Sequence, residues 1–171
     1  MKKNAVLLFV CILFMTCVSC QKKVDVQKEK EAIMAVINAE SETARIGDVP
    51  GLTSFYVQDE YNTRFMLGKE SYQIITGWDE LGPFLEQFKA NAEIDDSSIS
   101  FTKENAVIKV MGNTAWVICD NNWKVMRGEV LTRAESIQIT FLEKPEGEWK
   151  ISFAAWIPKP VPAVEETPAN Q

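Results

Sequence analysis

The hydrophobic period of this chain changes near residue 99, and that change narrows its possible folds more than any other feature. From there onward apolar positions alternate with polar ones in the runs 98–110, 114–125, 132–144 and 149–157, which are crowded with β-branched and aromatic residues. These runs read as strands. Gly112-Asn113 and Pro145-Glu146-Gly147-Glu148 stand between them as hairpin connections, so consecutive strands are expected to pair antiparallel. Before residue 99 the spacing is mostly helical. Residues 28–46 contain no Pro or Gly, and Ile33, Val36, Ile37 and Ala44 fall on one stripe at about 100° per residue, with Gly47 as a stop. Asp48 and Pro50 open a short second helix. A third carries Leu81, Phe84, Leu85 and Phe88, and Asp79 is expected to cap it so that Pro83 lies where no amide donor is needed. Residues 61–67 and 71–76 flank Gly68-Lys69-Glu70 as a hairpin. The whole is α+β, with helices packed on one face of a bent antiparallel sheet.

The first twenty residues are of another kind. Met1-Lys2-Lys3-Asn4 is basic, and residues 5–18 are almost wholly apolar, a run shorter than the roughly 20 residues a spanning helix needs. It reads as an export signal. Val18-Ser19-Cys20 resembles a bacterial lipoprotein signal box, in which the cysteine is acylated and becomes the mature first residue, although Cys17 stands where that pattern usually has Leu. Ordinary signal cleavage and a retained membrane helix are the alternatives. The expected division is signal peptide 1–19, lipidated Cys20, tether 20–26, domain 27–158, and a disordered Pro-rich tail 159–171 that lacks the apolar pattern a core requires. The expected location is the bacterial cell envelope, lipid-anchored and facing periplasm or surface.

Charge and composition remove several functions. The chain has no histidine, which excludes Ser-His-Asp and Cys-His catalysis and His-bearing zinc sites. Without Lys2 and Lys3 the mature chain has 16 basic against 24 acidic residues, about −8, so nucleic acid is a poor partner. Only Cys119 of the four cysteines would remain as a thiol, and it lies in an apolar run that suits burial better than reactivity. No motif asks for a metal or a cofactor.

The order of elements resembles the nuclear transport factor 2-like superfamily, in particular its bacterial SnoaL-like branch, over residues 28–158. The matching features are Gly47-Asp48 closing the first helix, Gly77 opening the third, Gly112-Asn113-Thr114-Ala115-Trp116-Val117 and Gly147-Glu148-Trp149-Lys150-Ile151. The resemblance implies a cone-shaped fold, its curved sheet packed against three helices in the N-terminal half, with a pocket inside and often a homodimer through the open sheet face. It implies no single activity.

Candidate site residues follow from position. Glu40 is centred on the apolar stripe of the first helix, so its carboxylate projects toward the pocket as a general acid or base; the alternatives are that it pairs with an inward Arg or lies where the helix end emerges into solvent. Alternation places Tyr61, Thr63, Phe65 and Leu67 on one strand face and Ala115, Val117, Cys119, Asn121 and Trp123 on another, both expected to look inward. Tyr61 and Asp120 are the further catalytic candidates, as hydrogen-bond donor and base, beside Asp59 and Glu135. Phe65, Asn121, Trp123 and Phe153 are the expected ligand-binding residues. Arg127 and Arg133 could meet an anionic ligand or simply be solvated. Trp116 and Trp156 are expected on the face opposite Trp123 and Trp149, where exposed aromatics suit an interface. The favoured reading is a non-enzymatic domain that binds a small apolar molecule or a partner protein. The alternatives are an isomerase, dehydratase or cyclase with a pocket carboxylate as base, and a purely structural dimerising domain.

Overall fold

The computed structural model describes residues 25–68, 71–93, 98–127 and 129–160. The proposed signal peptide, Cys20, most of the tether and the tail beyond Pro160 therefore lie outside the described residues, as do Lys69-Glu70 and Gly128 in two of the connections. Helix α1 (Val26–Ile46) begins two residues earlier than its spacing predicts, because the Asp25 carboxylate accepts from the amides of Gln27 and Lys28. Its buried face is Ile33, Ile37, Glu40, Ser41 and Ala44, and Gly47 ends it in the left-handed conformation. Helix α2 (Val49–Ser54) follows at once, capped by Asp48, which accepts from the Gly51 amide.

Strands β1 (Thr63–Leu67) and β2 (Tyr72–Thr76) form the expected hairpin, and helix α3 (Trp78–Leu85) then packs Leu81 and Leu85 into the core. Asp79 does not cap α3. The cap position is Gly77 at φ 86°, whose carbonyl accepts from Leu81, so Pro83 falls in the second turn. There it lacks the amide that would continue the ladder, and the chain passes into a 3₁₀ segment (Glu86–Glu93) within three residues.

Four long strands complete the sheet: β3 (Ile99–Met111), β4 (Thr114–Arg127), β5 (Val130–Glu143) and β6 (Lys150–Pro158). The strand order is β2-β1-β6-β5-β4-β3, antiparallel except where β1 meets β6 in parallel. Residues 55–57 also tie onto β6, by Ile151 N–H to the Phe55 carbonyl and Val57 N–H to that of Ile151, while the buried Asn62 amide donates to the Val57 and Ile151 carbonyls. Two irregularities bend the sheet. In β3 the register slips between Glu104 and Val107, beside Asn105 at φ 53°, and in β6 Ser152 is an extra residue between Ile151 and Phe153.

The core lies between the concave face and α1–α3. It gathers Ile33, Ile37, Leu52, Tyr56, Leu81, Leu85, Val117, Leu142 and Ile151, and each fully buried Ile or Leu contributes ~2 kcal/mol by leaving water. One end of α1 is held by a polar clasp. Glu29 accepts from Lys144 Nζ at 2.7 Å and from the Trp149 indole at 2.7 Å, and these bonds lower its carboxyl from the usual value. A carboxyl lowered by folding contributes stability above its unfolded value near 4.5, and that contribution is lost as pH falls through the folded value. Glu29→Gln is therefore expected to unfold with a flatter pH dependence below about 4.5 than the parent, read by urea midpoints at pH 3 to 7. Equal slopes would show that the clasp does not couple to folding.

Candidate functional site

The register of the sheet decides what faces the helices. Across its inner face run Ile75, Arg64, Ala154, Thr140, Val117 and Ile108, and in the next rows Met66, Trp156, Gln138 and Cys119, then Pro158, Ser136, Asn121 and Lys103. Beyond the core these rows open into a cavity of about 1080 Å³, walled by Ala44, Met66, Phe88, Ile99, Trp123, Val125 and Trp156, with Pro158, Lys159 and Pro160 at one margin. Its polar lining includes Glu40, Ser41, Arg64, Asn91, Asn121 and Ser136.

Glu40 and Arg64 meet through a residue that sequence reasoning passed over. Glu40 is 4% exposed and Arg64 7%, and Tyr56 between them is buried. The Tyr56 hydroxyl donates to Glu40 Oε1 at 2.6 Å and accepts from Arg64 Nη1 at 3.1 Å, while Ser41 Oγ donates to Glu40 Oε2 at 3.2 Å. Burial, reinforced by the Glu40 charge, pushes the Tyr56 phenol well above its usual range, so it remains a donor to the carboxylate. The guanidinium lies 4.1 Å from the Trp156 ring centre, with the rings of Phe84 and Phe88 at 5.3 and 5.5 Å. Glu40 thus takes up the pairing with an inward Arg that its position allowed, by way of a phenol.

A second polar group sits behind the Asn121 wall. Lys103 Nζ donates to Asn121 Oδ1 and Gln138 Oε1, both at 2.7 Å, and Gln138 in turn donates to Thr140. Burial lowers the Lys103 ammonium from its usual value, opposed by the Glu40 charge. Cys119 is buried beside it, and burial raises its thiol, which keeps it protonated and unreactive as its surroundings in the sequence imply.

The other site candidates are distributed differently from expectation. Asn121 and Trp123 line the cavity. Tyr61, Phe65, Phe153 and Asp120 do not. Tyr61 is 49% exposed and donates to Glu143. Phe65 and Phe153 lie on the convex face, against Tyr72 and Phe141 respectively. The inward residues of β1 are Arg64 and Met66, because Arg64 is neutralised by the Glu40 network and covered by rings, which removes the penalty that made the Phe65 phase look like the core side. In β6 the extra Ser152 inverts the alternation, so Phe153 turns outward and Trp156 inward, the reverse of the expected arrangement. Asp120 is paired with Lys159 at 2.8 Å and accepts from Asn105, and both bonds lower its carboxyl, which weakens it as a base. Asp59 lies in the turn before β1, its carboxylate accepting from the Glu60 amide, and Arg133 and Glu135 border the cavity mouth.

No family model matches this sequence, and no curated protein does. Solved structures do match the fold. A proposed dehydratase of the NTF2-like family from Streptomyces avermitilis is 17% identical, with a TM-score of 0.65 over 79% of this chain and 99% of that one. A proposed scytalone dehydratase from Novosphingobium aromaticivorans is 15% identical, with a TM-score of 0.63 over 78% and 86%. The association domain of CaMKII from C. elegans is 14% identical, with a TM-score of 0.60 over 77% and 96%. This chain has the nuclear transport factor 2-like fold: a curved sheet closed over helices from its N-terminal half.

Proposed function

We propose that this chain is a SnoaL-like binding domain that holds a small, mainly apolar molecule in its cone, tethered to the bacterial envelope through Cys20 and paired as a homodimer by its convex sheet face. One observation carries the binding reading. The cavity is of ligand size, walled by aromatic and aliphatic side chains, with a few polar groups gathered on its lining. The dimer reading is supported by exposed Val107, Ile118, Ile137 and Phe141 on the convex face. The tether reading is supported by the Met1-to-Cys20 pattern alone.

Binding is tested with the neutral fluorophore N-phenyl-1-naphthylamine. The parent is expected to enhance its emission, and Ser136→Trp, which adds an indole to the cavity wall, is expected to lower its affinity at least tenfold. Unchanged affinity in a folded Ser136→Trp variant would place the probe elsewhere and remove the reading. A second reading, a lyase or isomerase with Glu40 as base, is favoured by the Glu40 carboxylate lining the cavity and by the two dehydratase-named neighbours in fold. Against it, both Glu40 oxygens already accept hydrogen bonds.

A further inference from the structure

We infer that the molecule held in the cone is an amphipathic acid, a carboxylate on an apolar body, with its acidic end seated at Arg64. The inference rests on the binding reading above and adds the chemical class of ligand. Its first support is a mismatch of charge. Arg64 from β1 stands on the deep wall and Lys103 from β3 lies just behind it, against one anion, Glu40 from α1, while Tyr56 and Cys119 beside them are neutral. At the mouth Lys159 is already committed to Asp120, and Arg133 and Glu135 bring one charge of each sign. One positive charge is therefore uncompensated inside, a situation that a bound anion relieves.

The second support is the geometry of the Arg64 guanidinium. Rings lie over its plane, so its remaining capacity is along the edges. Tyr56 uses Nη1, and the buried Nε has no hydrogen-bond partner. A guanidinium edge offers two parallel donors at the spacing of a carboxylate's two oxygens, a match that an alcohol or ketone does not complete. The rest of the wall, with Met66, Phe88, Ile99, Trp123, Val125 and Trp156, gives the apolar body its contacts.

Two soluble probes of the same skeleton decide the matter: 4-phenylbutanoate and 4-phenylbutan-1-ol, each titrated against N-phenyl-1-naphthylamine bound to the full chain. The acid is expected to displace the fluorophore at least tenfold more effectively than the alcohol. Arg64→Lys, which keeps the charge and loses the fork, should reduce that preference to about threefold, and Arg64→Met should abolish it. The parent comparison stands even if either variant fails to fold. An alcohol that displaces as well as the acid, or a bound fluorophore that neither displaces, overturns the inference and leaves the binding reading intact. A fluorophore that does not bind at all removes that reading and the inference with it.

Discussion

Glu40→Ala is expected to lower the unfolding free energy by about 3 kcal/mol, the lower end of what breaking a buried charge pair costs. The carboxylate accepts from Tyr56 and Ser41 and faces Arg64 through the Tyr56 hydroxyl. Its removal leaves a buried guanidinium without a counter-charge and a buried phenol without an acceptor. Removing Arg64 as well should recover part of the loss, so the double variant Glu40→Ala/Arg64→Met is expected to be more stable than the sum of the singles by about 1–2 kcal/mol. Urea unfolding of the four proteins gives the cycle directly. A single-variant cost below about 1 kcal/mol, or strict additivity, would mean that the charges do not act as a unit. Glu40→Gln keeps one carbonyl oxygen to accept from the Tyr56 hydroxyl and should cost less than Ala, and it also separates the two functional readings, since a binder keeps its ligand affinity where an enzyme loses turnover.

The second large effect is expected at the junction of α1 and the 3₁₀ segment, where Gly47→Ala should cost about 3 kcal/mol from left-handed strain together with overpacking. Gly47 has φ 72°, and a Cβ there would stand 2.5 Å from the Ala92 amide nitrogen and 3.0 Å from the Phe88 carbonyl oxygen. Both neighbours are backbone, so the clash is relieved only by moving the 3₁₀ segment, which carries Phe88 against Arg64 and Asn91 against the end of α1. Gly112→Ala is the matched control. Its φ is 66°, with nothing within 4 Å of an added Cβ, so it should cost only the ~1 kcal/mol of left-handed strain. Denaturant midpoints of the two variants measure the difference, and equal losses would show that the close approach at Gly47 is not felt.

The fold was legible because its signals are local. Helical spacing, alternation and the Gly-containing turns each depend on neighbours in sequence, and they placed the six strands and three α-helices of the described residues to within a few residues. The site was legible only where one strand keeps a single phase. In β4 the phase holds from Ala115 to Trp123, and the inward set was found. Lys103 shares the phase of Ile99 and Phe101, so a lysine on the apolar side of β3 was a signal that went unread. Arg64 and Tyr56 gave no such signal. Their burial depends on Glu40, 24 and 16 residues away respectively, and on rings from three other segments, which no short window contains. In β5 the inward residues Ser136, Gln138 and Thr140 are polar while Ile137, Ile139 and Phe141 point outward, so hydropathy alone does not tell inside from outside there.

The bulge at Ser152 acts as a phase inverter, and through it the conformation of one residue governs two surfaces at once. Upstream of it the strand sends odd-numbered side chains toward the helices, and downstream it sends even-numbered ones, which is how Ile151 and Trp156 come to share a side. Pairing the strand without the bulge while keeping that residue would turn over everything after it: the indole would leave the arginine it shields and emerge on the convex exterior, while Phe153 would swing into the hollow. The roof of the chamber and the skin of the opposite face are thus a coupled pair: the bulge absorbs the extra residue, and losing bulge and residue together would leave each surface where it is.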